Sequence, residues 1–131
     1  MSNHLHIEQL RQRFDTKLHE NIKMANFTTA HVGGRIPALL SLNTLDDLVT
    51  ASQTLWQADA PFVILGSGSN ILVSDQGLDL VVIHNRAHNI KIDSKSDAPT
   101  IYAESGAIVG TLARQSALQG LSGLEWAAPV P

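Results

Sequence analysis

The segment FVILGSGSNILVSD, Phe62 to Asp75, sets two glycines, two serines and an asparagine between two β-prone apolar runs. It contains no basic side chain. Main-chain N–H groups in a tight glycine-rich turn form a concave nest for an anion, and Ser and Asn side chains add hydrogen bonds. Glycine contributes twice: it admits positive φ, and it lets a ligand approach the main chain without a Cβ in between. The chemistry open to these residues is to hold a phosphate group with amides and hydroxyls. The competing reading is a plain β-turn, since short Gly/Ser turns are common.

The two common nucleotide motifs do not fit. The loop is not GxxxxGK[ST], so the lysine of a P-loop is missing. It is not GxGxxG either, because Ile71 follows GSGSN. ILVSD reads as a strand, so the helix N-terminus of a Rossmann phosphate site is absent. A diphosphate within a larger cofactor stays open, because the rest of such a molecule supplies binding of its own.

Other residues with chemical potential read more plainly. Six histidines invite a metal site. His4 and His6 lie near the N-terminus, and His84 and His88 share a face only on a helix. HNRAH sits between strand-like runs and lacks the glutamate of HExxH. These read as solvated loop histidines, and no metal site is expected. Glu104 and Glu125 show no partner that would perturb them toward general-base work; Glu125 reads as ordering the segment beside it. Trp126 reads as a core or interface aromatic, and Arg86 and Arg114 as surface cations. No catalytic residue is expected.

The elements that must position the loop follow from pattern. Ile7, Leu10, Phe14 and Leu18 at helical spacing predict a helix over the first ~20 residues. NFTTAHVGGR is a loop whose paired glycines mark close backbone approach. IPALLSL reads as a strand, with Pro37 suited to its first residues or to an edge. Thr44, Asp46 and Asp47 read as the start of a helix, by N-cap hydroxyl and first-turn carboxylates. Its core stripe is Leu45, Leu48, Val49, Leu55 and Trp56, and Ala60–Pro61 ends it. Phe62–Leu65 reads as a short buried strand, and ILVSD and LVVI as two more around DQGLD. Strand, helix, strand with short links is a βαβ unit on a parallel sheet. NIKID and TIYAES around SKSDAP predict an antiparallel pair. A last helix carries Ile108, Val109, Leu112, Ala113 and Ala117, with Gly120 as its C-cap.

Length and charge narrow the classes. A chain of 131 residues suits one domain and can bury roughly two-thirds of its unfolded surface. It has 44% hydrophobic and 16% charged residues and no cysteine, which argues against disorder and excludes disulfides and thiolate chemistry. No apolar run approaches the ~20 residues that span a bilayer, and MSNHLHIEQLRQRF is too polar for a signal peptide. A cytoplasmic protein is expected, with no membrane partner. From Ile36 to His84 there is no Lys or Arg, whereas Asp46, Asp47, Asp59, Asp75 and Asp79 fall there. A nucleic-acid surface needs clustered cations, so no nucleic-acid partner is expected.

LGSGSNILVSDQG, preceded by TTAHVGG and followed by GLSGLEWAAPVP, resembles the UDP-N-acetylenolpyruvoylglucosamine reductase (UDP-N-acetylmuramate dehydrogenase) family, over residues ~26 to 131. That family belongs to the flavoproteins that share the FAD-binding fold of vanillyl-alcohol oxidase. The resemblance implies an α+β class with the PCMH-type FAD-binding fold: a small βαβ parallel-sheet subdomain, then an incomplete antiparallel-sheet subdomain. Within one domain, 1–131, the first would run over about 22–85 and the second would begin at 86–131. It implies FAD as cofactor, NADPH as reductant, and an enolpyruvyl UDP-sugar as substrate in peptidoglycan synthesis. By match, Gly66, Ser67, Gly68, Ser69 and Asn70 contact the FAD pyrophosphate. Ile64, Leu65, Ile71 and Leu72 pack the cofactor, and Ala127, Ala128, Pro129 and Val130 begin a second flavin-contacting segment. Thr28, Thr29, Val32, Gly33 and Gly34 support the site. In the family, AAPVP continues into a glycine-rich run, and the proton-donating serine, the active-site arginine and glutamate and the substrate-binding domain lie beyond it. The chain is therefore expected to be a cofactor part, either a fragment or a truncated relative, with weak FAD binding. Two alternatives stand beside it: a non-catalytic flavin or nucleotide-binding module, and an oxidase or dehydrogenase of the wider superfamily acting on another substrate.

Overall fold

A computed structural model describes residues 3–129, and the side chains from residue 7 onward. The chain divides into two compact units, residues 1–86 and 87–131.

In the first unit, α1 (Asn3–Phe14) is followed by a 3-10 turn and by β1 (Leu18–Lys23); then come β2 (Arg35–Leu42), α2 (Leu45–Gln57), β3 (Phe62–Leu65) and β4 (Val81–Asn85). The sheet order is β1-β2-β4-β3. β1 runs antiparallel to β2, while β2 and β3 both lie parallel to β4. The strand-helix-strand unit is present, with β4 inserted between its two strands. The N-terminal helix is shorter than its spacing predicts. Asp15 takes φ 38°, which ends the α-helical path, and Leu18 opens β1 instead of continuing the stripe. β2 is an interior strand despite Pro37. The missing N–H costs nothing there, because Pro37 faces Asn21 (φ 53°), where the β1 ladder skips a pair, and the ladder to β4 starts at Ala38.

Strand alternation sends side chains to two cores. Ala38, Leu40, Leu42, Val81 and Ile83 pack with Ile7, Leu10 and Phe14 of α1 and Leu48, Ala51 and Leu55 of α2. On the other face Leu39, Val82 and Leu65 pack with Met24, Ile36 and Val73. There the partly buried side chains packed against the cluster include Phe27, Ile71 and Leu78. Leu45, Val49 and Trp56 are exposed, so the buried stripe of α2 is Leu48, Ala51 and Leu55 alone. β3 is an edge strand, with Ile64 49% exposed.

The Thr44 hydroxyl accepts from the Asp47 N–H at 3.2 Å and so caps α2. The Lys17 ammonium at 2.5 Å, then the Thr44 hydroxyl, hold the Asp47 carboxyl below its usual range. Thr44→Ala removes the cap and is expected to cost about 1 kcal/mol, read as a lower urea midpoint.

In the second unit, β5 (Ile90–Asp93) pairs antiparallel with β6 (Thr100–Ala103) and α3 (Val109–Leu118) follows. Gly120 (φ 76°) donates to Ala117 and Leu121 N–H reaches back to Ser116, the paired bonds of a Schellman motif that satisfy the last carbonyls. No described helix is long and apolar enough to cross a membrane.

Candidate cofactor site

The GSGSN loop starts where β3 stops. In a sheet of parallel strands, ligands bind outside the carboxyl ends, where side chains and loops converge. Leu65 pairs with His84 of β4 and is buried in the second core. Gly66 and Ser67 are exposed, Gly68 is buried, Ser69 is half-buried and Asn70 is exposed.

Gly68 fixes the loop. It takes φ 73°, and a Cβ on it would meet the Phe27 carbonyl oxygen at 2.0 Å. The Thr29 N–H donates to the Gly68 carbonyl at 3.0 Å. TTAHVGG therefore meets the loop through main chain. Thr28 shapes that support: its buried hydroxyl bonds both the carbonyl (2.8 Å) and the N–H (3.2 Å) of Val32. Met24 and Ala25 N–H groups donate to Gly34 and Gly33 and close the base.

ILVSD is not a strand. Its apolar residues are β-prone, yet its hydrogen bonds go to the glycine corner: Gly34 and Gly77 N–H groups both donate to the Ser74 carbonyl, and Leu78 N–H to Arg35. A Cβ on Gly34 would lie 2.2 Å from the Asp75 carbonyl oxygen. Two backbones cross there with no room for side chains. Leu72 is left 81% exposed, Ile71 half-buried and Val73 buried. No helix follows the loop, as the motif reading requires.

The loop's donors are uncommitted. Among the described residues, the N–H groups of Ser67, Gly68, Ser69 and Asn70 donate to no protein acceptor. The Ser67 and Ser69 hydroxyls lie 3.1 Å apart. A Cβ on Gly66 would meet nothing within 4 Å, so the main chain can be approached from that side. A left-handed residue inside such a run is the backbone form that gathers N–H groups around an anion. Uncommitted donors, a glycine with open space and no cation in the segment fit the diphosphate of a dinucleotide cofactor.

A family model described as "FAD binding domain" matches residues 36–131. The chain belongs to that family. As a member of the FAD binding domain family it is similar to a UDP-N-acetylenolpyruvoylglucosamine reductase of Clostridium botulinum, 36% identical over 118 residues. That match covers 89% of this chain and 38% of the relative, so the chain spans well under half the length of the reductase it matches. The crystal structure of the UDP-N-acetylenolpyruvylglucosamine reductase of Thermus caldophilus is 31% identical with a TM-score of 0.63, over 84% of this chain and 37% of that one. An alkyldihydroxyacetonephosphate synthase, 17% identical, matches at a TM-score of 0.60 over 88% of this chain and 25% of the other, a likeness of fold. These place the chain in the α+β, PCMH-type FAD-binding fold, and its cofactor is FAD.

In the second unit Ala127 is buried in a 3-10 turn, Ala128 and Pro129 are exposed, and Val130 lies outside the described residues. Glu125 accepts from the Gly123 N–H at 2.8 Å, and Trp126 donates its ring N–H to the Gly123 carbonyl at 3.0 Å. Together they tie a tight turn, although the Trp126 ring itself is exposed rather than core. Glu125's own N–H and that of Gly123 hold its carboxyl below its usual range. Glu104 accepts from both the N–H and the side-chain amide of Asn89, which likewise lower its pKa and clamp the start of β5 to the end of β6. His84 was expected in a loop; it lies in β4, half-buried. The alternation of VVIHN, which puts His84 on the face of Val82, is the signal that sequence reading passed over.

Proposed function

We propose that the chain is the FAD-binding part of an NADPH-dependent reductase that converts UDP-N-acetylglucosamine enolpyruvate to UDP-N-acetylmuramate in cytoplasmic peptidoglycan precursor synthesis. The observation that carries this is the run of uncommitted N–H groups from Ser67 to Asn70 at the end of β3, within a segment similar to named reductases. When bound, FAD supplies the hydride relay between the nicotinamide and the enolpyruvyl group. Gly66 to Asn70 hold its diphosphate with main-chain donors and two hydroxyls, which neutralise charge where no Lys or Arg is present. Ile64, Leu65, Ile71 and Leu72 form the apolar borders of the loop, Leu65 from within the core. Ala127, Ala128, Pro129 and Val130 open the second flavin-contacting stretch. In this reading residues 22–85 and 86–131 are two subdomains of one cofactor domain. Substrate binding and proton donation belong to residues outside this chain.

Titrating FAD into the purified chain is expected to give saturable quenching of flavin fluorescence and weak retention of the 450 nm flavin band, with no NADPH oxidation by the chain alone. Unchanged FAD fluorescence overturns the reading. Turnover regained on adding the C-terminal part of a full-length relative separates the reductase from a non-catalytic flavin module.

A further inference from the structure

On the face of β4 that carries Val82, one side chain among the described residues has a buried polar atom that its packing leaves without a partner. His84 sits near the carboxyl end of β4, the strand flanked by both other parallel strands, in register with Leu65 on one side and Ser41 on the other. The GSGSN loop begins one residue after Leu65. The imidazole packs edge-on against Phe27, with ring centres 5.5 Å apart, and the Phe27 carbonyl is the group that pins Gly68. His84 thus lies next to both walls of the loop. Its Nδ1 is enclosed and meets no hydrogen-bond partner. Buried polar atoms in folded proteins nearly always have partners, so an exception asks for a reason.

Burial, and then the charge of Arg86, hold the imidazole below its usual pKa, so the ring is neutral at pH 7 and carries one proton. An enclosed N–H without an acceptor is costlier than a bare lone pair, which puts the proton on Nε2. The side chain is only half-buried, and Nε2 is not among the enclosed, unpartnered atoms. A phenylalanine or leucine would fill this place without a stranded nitrogen. His84 therefore costs the fold stability, and what it offers in return is a neutral donor beside an anion loop.

We propose that His84 is a cofactor-binding residue, its Nε2–H donating to a phosphate oxygen of the FAD held by the Gly66–Asn70 loop. This rests on the assignment of that loop to the diphosphate. It adds a neutral side-chain donor to the main-chain ones.

The test is FAD affinity, by flavin fluorescence, beside the apo melting temperature. His84→Phe keeps the ring and its Phe27 contact and loses both nitrogens. His84→Gln places an amide donor near the Nε2 position. The Phe variant is expected to bind FAD about tenfold more weakly, with an unchanged or higher melting temperature, and the Gln variant to bind within about twofold of the unsubstituted chain. ADP, which carries the diphosphate without the flavin, should lose affinity for the Phe variant by a similar factor. Equal FAD affinity in His84→Phe overturns this inference and leaves the loop assignment standing. Weakening in Phe and Gln alike with a lowered melting temperature marks a structural role and also overturns it. An unsubstituted chain that leaves FAD untouched overturns the inference together with the loop assignment.

Discussion

Replacing Gly68 with alanine is expected to abolish saturable FAD binding and to lower the stability of the chain by about 3 kcal/mol or more. Gly68 has φ 73°, a conformation that alone costs a Cβ-bearing residue on the order of 1–2 kcal/mol. The new Cβ would stand 2.0 Å from the Phe27 carbonyl oxygen. That atom is backbone, held between the Met24 turn and the Thr28–Val32 bonds, so no rotamer change relieves the overlap. Either the loop lifts off Phe27 and loses the Thr29–Gly68 hydrogen bond, or residues 27–29 shift with it. Both outcomes disperse the donors of residues 67–70. Gly66→Ala is the matched control. Its Cβ meets nothing within 4 Å, so stability should hold or rise slightly, as glycine replacement stiffens the unfolded chain. On the proposed reading the same Cβ stands where the FAD diphosphate would approach the main chain, so FAD binding should weaken at constant stability. Urea midpoints by circular dichroism and FAD titration separate the two glycines. A normal midpoint for Gly68→Ala would contradict the packing of loop on loop.

What sequence could tell about this site followed from whether the signal was local. That GSGSN forms a turn at the end of a strand is a property of a few consecutive residues, and so was legible. So were the Thr44 cap, the hairpin around SKSDAP and the Gly120 helix end, each set by side chains within a few positions. β1 was not, because Leu18 and Ile22 fit a helix stripe as well as a strand edge; only Asp15 in a left-handed conformation and the pairing with β2 decide. ILVSD carries strand propensity throughout, yet its Ser74 carbonyl is captured by the Gly34 N–H, some forty residues earlier. That is a tertiary choice, invisible to local pattern. The VGG glycines announced close backbone approach without saying to what, and DQGLD read only as a turn. The structure shows that they meet each other: a Cβ on Gly77 would lie 2.0 Å from the Arg35 carbonyl oxygen, beside the Gly34 crossing. His84 was missed because a histidine near a strand end reads as loop until the sheet places it between Ser41 and Leu65.

Two adjacent residues of α2 put the corrected core to the test. Leu55→Ala is expected to cost about 2–5 kcal/mol, and Trp56→Ala within about 0.5 kcal/mol of nothing. By residue size alone the order should be the reverse, since tryptophan has more apolar surface to bury. Burial decides instead: Leu55 is 1% exposed and Trp56 is 79% exposed. Leu55 lies with Leu48 and Ala51 on the α2 stripe packed over Leu40 and Ile83, and its removal leaves a cavity under a helix that Thr44 caps at its start and that the Asp59 and Ala60 N–H groups, donating back to Trp56 and Leu55, close at its end. A chain of this size has a total stability on the order of 5–15 kcal/mol, so that loss is a large share of what holds α2 down. Trp56 instead flanks a shallow surface groove with Ala60, Pro61 and Phe62, where truncation opens no cavity. Because Trp56→Ala removes a fluorophore, the midpoints must be read by far-ultraviolet circular dichroism. Equal losses at the two positions would restore the wider stripe of Leu45, Val49 and Trp56 as core, and with it a different seating of α2 on the sheet that carries the loop.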